Sequence, residues 1–188
     1  MSSDSQEYVA ITAMLAAGDL DGAAAEIDRV KHNLPLPVLL ECLGNVHYYK
    51  GEFQQAMIKY EAAMDADKSY DVARYHCFIG IRKERAGDLV EAFKRYQAAI
   101  EIEPSFVDPY IELGGLLANA KDYEGALTCY TDALRLDNSD LRNFANRTEV
   151  LRVLSEANPV QFAVEYRAAV AEFENAKQHL QHLREDPT

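Results

Sequence analysis

Apolar residues return along this chain at intervals of three and four, the period of an α-helix that buries one face. Leu20, Ala23, Ile27 and Val30 form one such stripe, and Ala56, Tyr60 and Ala63 form another at i, i+4 and i+7. The second spacing recurs at Ala92, Tyr96 and Ala99, and again at Ala126, Tyr130 and Ala133. Short turns built on glycine, at Gly18, Lys50-Gly51-Glu52 and Ala86-Gly87-Asp88, separate the stripes. Pro37 suits the first turn of a helix, and Pro104 ends one. The pattern predicts an all-α chain of paired helices.

The pairs are copies of one unit. A glycine, an alanine, a tyrosine and a second alanine recur as Gly44, Ala56, Tyr60, Ala63, then Gly80, Ala92, Tyr96, Ala99, then Gly114, Ala126, Tyr130, Ala133. Leu43, Ile79 and Leu113 precede the three glycines, whose spacings are 36 and 34 residues. A fainter copy around Gly18 comes first. Each conserved spacing has a physical job. The glycine lets the first helix approach the second, the first alanine does the same from the other side, and the tyrosine fills the remaining space.

This pattern resembles the tetratricopeptide repeat, a helix-turn-helix unit of about 34 residues. The resemblance covers roughly three quarters of the chain. It implies a right-handed superhelical solenoid of antiparallel helix pairs in a single domain, residues 1–188, with repeats at about 4–36, 37–70, 71–106 and 107–140. Two departures stand out. Leu40, His76 and Tyr110 occupy the place of a frequent tryptophan, and the closing proline appears only as Pro104, with Lys68 and Asn138 at the matching positions. Two extra residues around Ser69 to Asp71 predict a slightly longer helix there.

Past residue 140 the pattern loosens into a degenerate fifth unit, C-terminal helices over 141–184. Leu141, Phe144, Thr148 and Leu151 predict a helix facing the fourth repeat. A turn over Ser155 to Pro159 then starts an unusually long one carrying Phe162, Tyr166, Ala169, Val170, Phe173, Ala176, Leu180 and Leu183. A capping helix that covers the last repeat is what a solenoid requires. The competing role is docking, on a second molecule or back in the groove.

Charge and chemistry narrow the function. With 31 acidic and 19 basic side chains the net charge is −12, which disfavours nucleic acid and suits a basic partner. Cys42, Cys77 and Cys129 lie far apart within helical pattern, fitting neither a disulfide framework nor a zinc site, and predict buried thiols in a reducing, cytoplasmic setting. The first residues lack the charge and apolar stretch of a signal peptide, and no apolar run is long enough for a membrane span. No nucleophile elbow, phosphate-binding glycine loop or HExxH helix is present, so neither an enzyme nor a cofactor is expected. Asp65, Asp67, Glu101 and Glu103 fall at helix ends and are expected to be solvated. His179 and His182 share a helical face, but two ligands make a poor metal site.

In the family it resembles, the first helix of each pair lines a concave groove that holds a protein or peptide. Carried over, this nominates Tyr8 and Thr12, then Glu41, Asn45, Tyr48 and Tyr49, then Arg74, Cys77, Ile81, Glu84 and Arg85. Asp108, Ile111, Gly115 and Asn119 follow, and Arg142, Glu149 and Arg152 complete the set. Tyr8 or Tyr48 packing between helices is the alternative to contact with a partner. One branch of the family grips acidic chaperone tails with a lysine-asparagine-asparagine-lysine-arginine clamp. Here only Asn45 matches, with Tyr8, Thr12, Cys77 and Ile81 at the other positions, so such tails are not expected to bind. The resemblance implies an adaptor or scaffold within a larger assembly. The alternatives are a dedicated chaperone of an aggregation-prone client, and an element that self-associates through its end faces or last helix.

Overall fold

The computed structural model describes residues 5–185, with side chains to 182, so the Leu183 side chain and the chain ends fall outside the described residues. Ten helices and no strand occur among the described residues. They run α1 (Gln6–Ala16), α2 (Leu20–Val30), α3 (Leu36–Tyr49), α4 (Phe53–Ala66), α5 (Ala73–Arg85), α6 (Leu89–Ile102), α7 (Asp108–Asn119), α8 (Tyr123–Leu136), α9 (Leu141–Ala157) and α10 (Pro159–Glu185). The chain divides into two compact units, residues 1–75 and 76–188, with the division inside α5.

One turn is built four times. Gly18, Gly51 and Gly87 have φ of 79°, 75° and 81°, in the left-handed region that glycine enters without steric cost. The backbone N–H of the next residue reaches back to a helix carbonyl, as Asp19 to Met14 and Asp88 to Lys83, both at 2.9 Å. That acid then caps the following helix: Asp19, Asp88 and Asp122 accept from the N–H groups of Gly22, Glu91 and Gly125. These bonds satisfy backbone groups that both helix ends would otherwise leave open. Glu52 makes no such cap, because its carboxylate lies 2.6 Å from His47 Nδ1 instead.

The unit of residues 1–75 has a core of Ile11, Leu15, Ala23, Ile27, Val30, Val38, Cys42 and Val46, drawn from α1, α2 and α3. In the same unit, Tyr60 of α4 lies so close to Gly44 that a Cβ there would overlap its ring.

The unit of residues 76–188 repeats that contact twice. A Cβ on Gly80 would stand 2.6 Å from Tyr96 Cε1, and one on Gly114 would stand 2.8 Å from Tyr130 Cε1. Tyr130 and Ala126 share a core with Val150, Leu151, Leu154, Phe162 and Ala169, which binds α8, α9 and α10 together. Position 148, one repeat after Gly114, carries threonine, whose Oγ1 donates to the Ala169 carbonyl at 3.4 Å. Arg147 pairs with Glu172, a second tie between α9 and α10.

One expectation holds in part and another is corrected. The two extra residues near Ser69 are shared: the loop before α5 (67–72) is one residue longer than the loop before α7 (103–107), and α5 has 13 residues against 12 in α7, while α4, α6 and α8 all keep 14. The turn expected over Ser155 to Pro159 is a single residue, Asn158, since α9 continues to Ala157. Proline disfavours the helical conformation in the residue before it, and Asn158 is the one residue that leaves the helix.

Candidate functional site

On residues 1–75, most nominated side chains are tied to one another. Tyr8 Oη donates to Glu41 Oε1 at 2.9 Å, and Tyr70 Oη donates to the other oxygen. Glu41 is 5 % exposed, so two phenols from distant positions bracket a buried carboxylate. Tyr70 was not nominated. It stands in the loop before α5, where no helical period points to it. Asn45 is fully buried; its Oδ1 accepts from Tyr60 Oη at 2.8 Å, and its Nδ2 has no hydrogen-bond partner. Arg74 is buried over the Tyr48 ring, 5.8 Å from its centre. Tyr48 also packs edge-on against Tyr49 and Phe53. Thr12 turns its hydroxyl onto the Tyr8 and Val9 carbonyls of its own helix. Tyr49, at 40 % exposed, offers the largest open surface of this group.

On residues 76–188, the nominated groups gather around a residue that was not nominated. Glu112, half-buried on α7, accepts no hydrogen bond and joins no ion pair among the described residues. Burial, then the carboxylates of Glu84 and Asp108, push its carboxyl above the ordinary glutamate range, against the pull of Arg85 and Arg142. The positions 108, 112, 115 and 119 keep strict helical spacing, a signal that does point to Glu112. Glu84 accepts from Tyr96 Oη at 2.8 Å, which fixes its carboxylate. Arg85 is exposed and forms no ion pair among the described residues.

Most of the other nominated residues are already engaged or covered. Arg142 pairs with Asp140 at 2.7 Å, and Arg152 pairs with Glu149 at 2.7 Å and with Glu156. Cys77 is buried, Ile81 is half-buried, and Ile111 packs on the α8–α9–α10 core. Gly115 faces the Tyr130 hydroxyl, and Asn119 is exposed at the end of α7.

No group of three or more potential metal ligands occurs among the described residues. Burial pushes the Cys42 thiol up to about 12 and the Cys129 thiol up to about 11. No helix among the described residues is long and apolar enough to cross a membrane.

The helix-pair geometry has relatives. The crystal structure of MamA superposes with a TM-score of 0.51, over 90 % of this chain and 96 % of that one, at 19 % identity. In sequence, the DnaJ homolog subfamily C member 7 homolog of Schizosaccharomyces pombe is 29 % identical over 160 residues. The probable UDP-N-acetylglucosamine–peptide N-acetylglucosaminyltransferase SPINDLY of Hordeum vulgare is 27 % identical over 95 residues. The aligned regions span 33 % of the first relative and 10 % of the second. No family model matches the chain. The repeated glycine-on-tyrosine contact, set between antiparallel helices of fixed length, decides the fold.

The chain has the tetratricopeptide-repeat fold. Its tetratricopeptide units leave two kinds of first-helix surface: a closed network around Glu41, and a more open charged group around Glu112.

Proposed function

We propose that the protein is an interaction adaptor that holds a segment of a partner protein against the first helices of its repeats, within a larger assembly. The observation carrying this is Glu112, a half-buried carboxylate with no hydrogen bond among the described residues, beside an exposed Arg85 that forms no ion pair among them. Partly desolvated charges without internal partners cost stability, and a bound segment that supplies complementary groups removes that cost. Tyr49, on the unit of residues 1–75, is a separate exposed aromatic, a residue type that supplies much contact area at interfaces.

The test is affinity capture from the source organism with wild type beside a Tyr49→Ala, Arg85→Glu double variant. Both side chains are exposed, so the variant is expected to fold. A partner enriched by wild type and lost by the variant supports the reading. A partner retained by the variant refutes it. Raised solubility of that partner on co-expression would mark the protein as its chaperone rather than an adaptor.

A second reading, self-association, draws on α10. Val160 is 98 % exposed and Val164, one turn on, 71 % exposed, an uncovered apolar pair on a helix otherwise suited to capping. A mass that rises with concentration and falls back in Val160→Glu, Val164→Glu would establish it. A monomer at high concentration would remove it.

A further inference from the structure

The four second helices begin alike, but α6 breaks the pattern. Its second position is Val90, 69 % exposed, where α2, α4 and α8 carry Asp21, Gln54 and Glu124. Leu89 beside it is 49 % exposed. Behind this pair, α6 and α7 leave a cavity of about 440 Å³, within the range of binding clefts, with Phe93, Leu116 and Leu117 in its wall. Lys94 is the one charged side chain lining it. Lys94 has neither a hydrogen bond nor an ion pair among the described residues; its charge acts on Asp88, but that carboxylate is already bonded by Lys83 Nζ and the Glu91 N–H. The adjacent cation, Arg95, is held at 2.9 Å by Glu91.

We propose that this cleft is a second docking site, taking a segment of a partner protein that inserts a bulky apolar side chain and sets one carboxylate against Lys94. A cation without a hydrogen bond or ion pair among the described residues, in a lining whose one other polar side chain is Gln97, specifies the partner's charge. The chain's net charge of −12 repels an acidic run, so a single acid beside the apolar anchor is the fit. Leu89 and Val90 extend the apolar surface beyond the cavity, which favours a protein segment over a small ligand enclosed within it.

The experiment selects a displayed random-peptide library on the full chain and measures the recovered peptides, labelled, by fluorescence anisotropy. The expected peptides combine a large apolar residue with a nearby Asp or Glu. Val90→Glu and Lys94→Glu should each weaken them roughly tenfold. Exchanging the peptide's acid for lysine should restore binding to Lys94→Glu. Both positions are exposed, and an unchanged thermal midpoint confirms that the variants fold. Tyr49→Ala and Arg85→Glu should leave this binding untouched, which separates it from the adaptor surface.

The proposal is overturned if recovered peptides lack the acid, or if binding ignores both substitutions. It is equally overturned if no peptide is enriched, if only a dansylated fatty acid enters the cleft, or if Val90 proves to mediate self-association.

Discussion

The ring of Tyr96 lies where a side chain on residue 80 would have to begin, 2.6 Å from a Cβ placed there. Tyr96 is fully buried, so the ring has no free space to move into. Gly80→Ala is therefore expected to destabilise the protein by about 1–3 kcal/mol through overpacking, outweighing the gain of roughly 1 kcal/mol in helix propensity. Urea unfolding measures it. Combining Gly80→Ala with Tyr96→Leu should recover part of the loss, because the two changes share one space.

The fourth turn supplies the opposite case. Lys121 has φ of 65° where the other three turns have glycine. Its N–H still bonds the Ala118 carbonyl at 3.0 Å, so the turn closes despite the strain. Lys121→Gly should stabilise by about 0.5–1 kcal/mol. An unchanged or lower urea midpoint would contradict this.

These two positions show why the fold was legible. A Gly-Ala-Tyr-Ala pattern is a statement about contact, and contact repeated at one spacing leaves little choice of architecture. The candidate surface was less legible, because period places a residue on a face without saying how deeply it is covered. Asn45 and Tyr49 sit one turn apart on α3, yet the first is fully buried and the second open. Asn45 is held by Tyr60, a long-range contact that local spacing does not reveal. Glu41 is held partly by Tyr70, from a loop with no period at all. Glu112, by contrast, keeps the spacing of Asp108, Gly115 and Asn119, so period alone does point to it.

Glu112 makes stability depend on pH in a defined direction. Its carboxyl is raised in the folded state, so between the ordinary glutamate range and that higher value the native state binds more protons than the unfolded chain. Stability from this group is thus complete at acid pH and lost as pH rises through the window. Glu112→Gln removes the loss. It should raise the urea midpoint at neutral pH relative to wild type, with the advantage shrinking as pH falls through the ordinary glutamate range. An advantage that grows on acidification would refute the assignment.

The buried carboxylate predicts a sharp contrast between neighbours. Tyr70→Phe deletes one donor to Glu41 and leaves that oxygen buried, which should cost about 1–3 kcal/mol. Tyr49→Ala, on the exposed side of α3, should cost much less. Urea denaturation of both variants checks the order, and equal losses would mean that Tyr70 does no more than pack.

The acidic tails gripped by one branch of the repeat family should not bind here. A terminal carboxylate needs cations to replace its water with charge-assisted hydrogen bonds. Of the clamp positions only Asn45 is retained, and its side chain is fully buried with Oδ1 taken by Tyr60. Exposing the free Nδ2 would require breaking the packing around Tyr60, which is itself fully buried. Thr12 spends its hydroxyl on α1, while Cys77 is buried and Ile81 offers no charge. Calorimetric titration with an acidic tail peptide ending in a free carboxylate should therefore give no saturable heat at micromolar concentration. Saturable micromolar binding would mean that cations elsewhere on the chain, Arg85 first among them, take over the clamp's role.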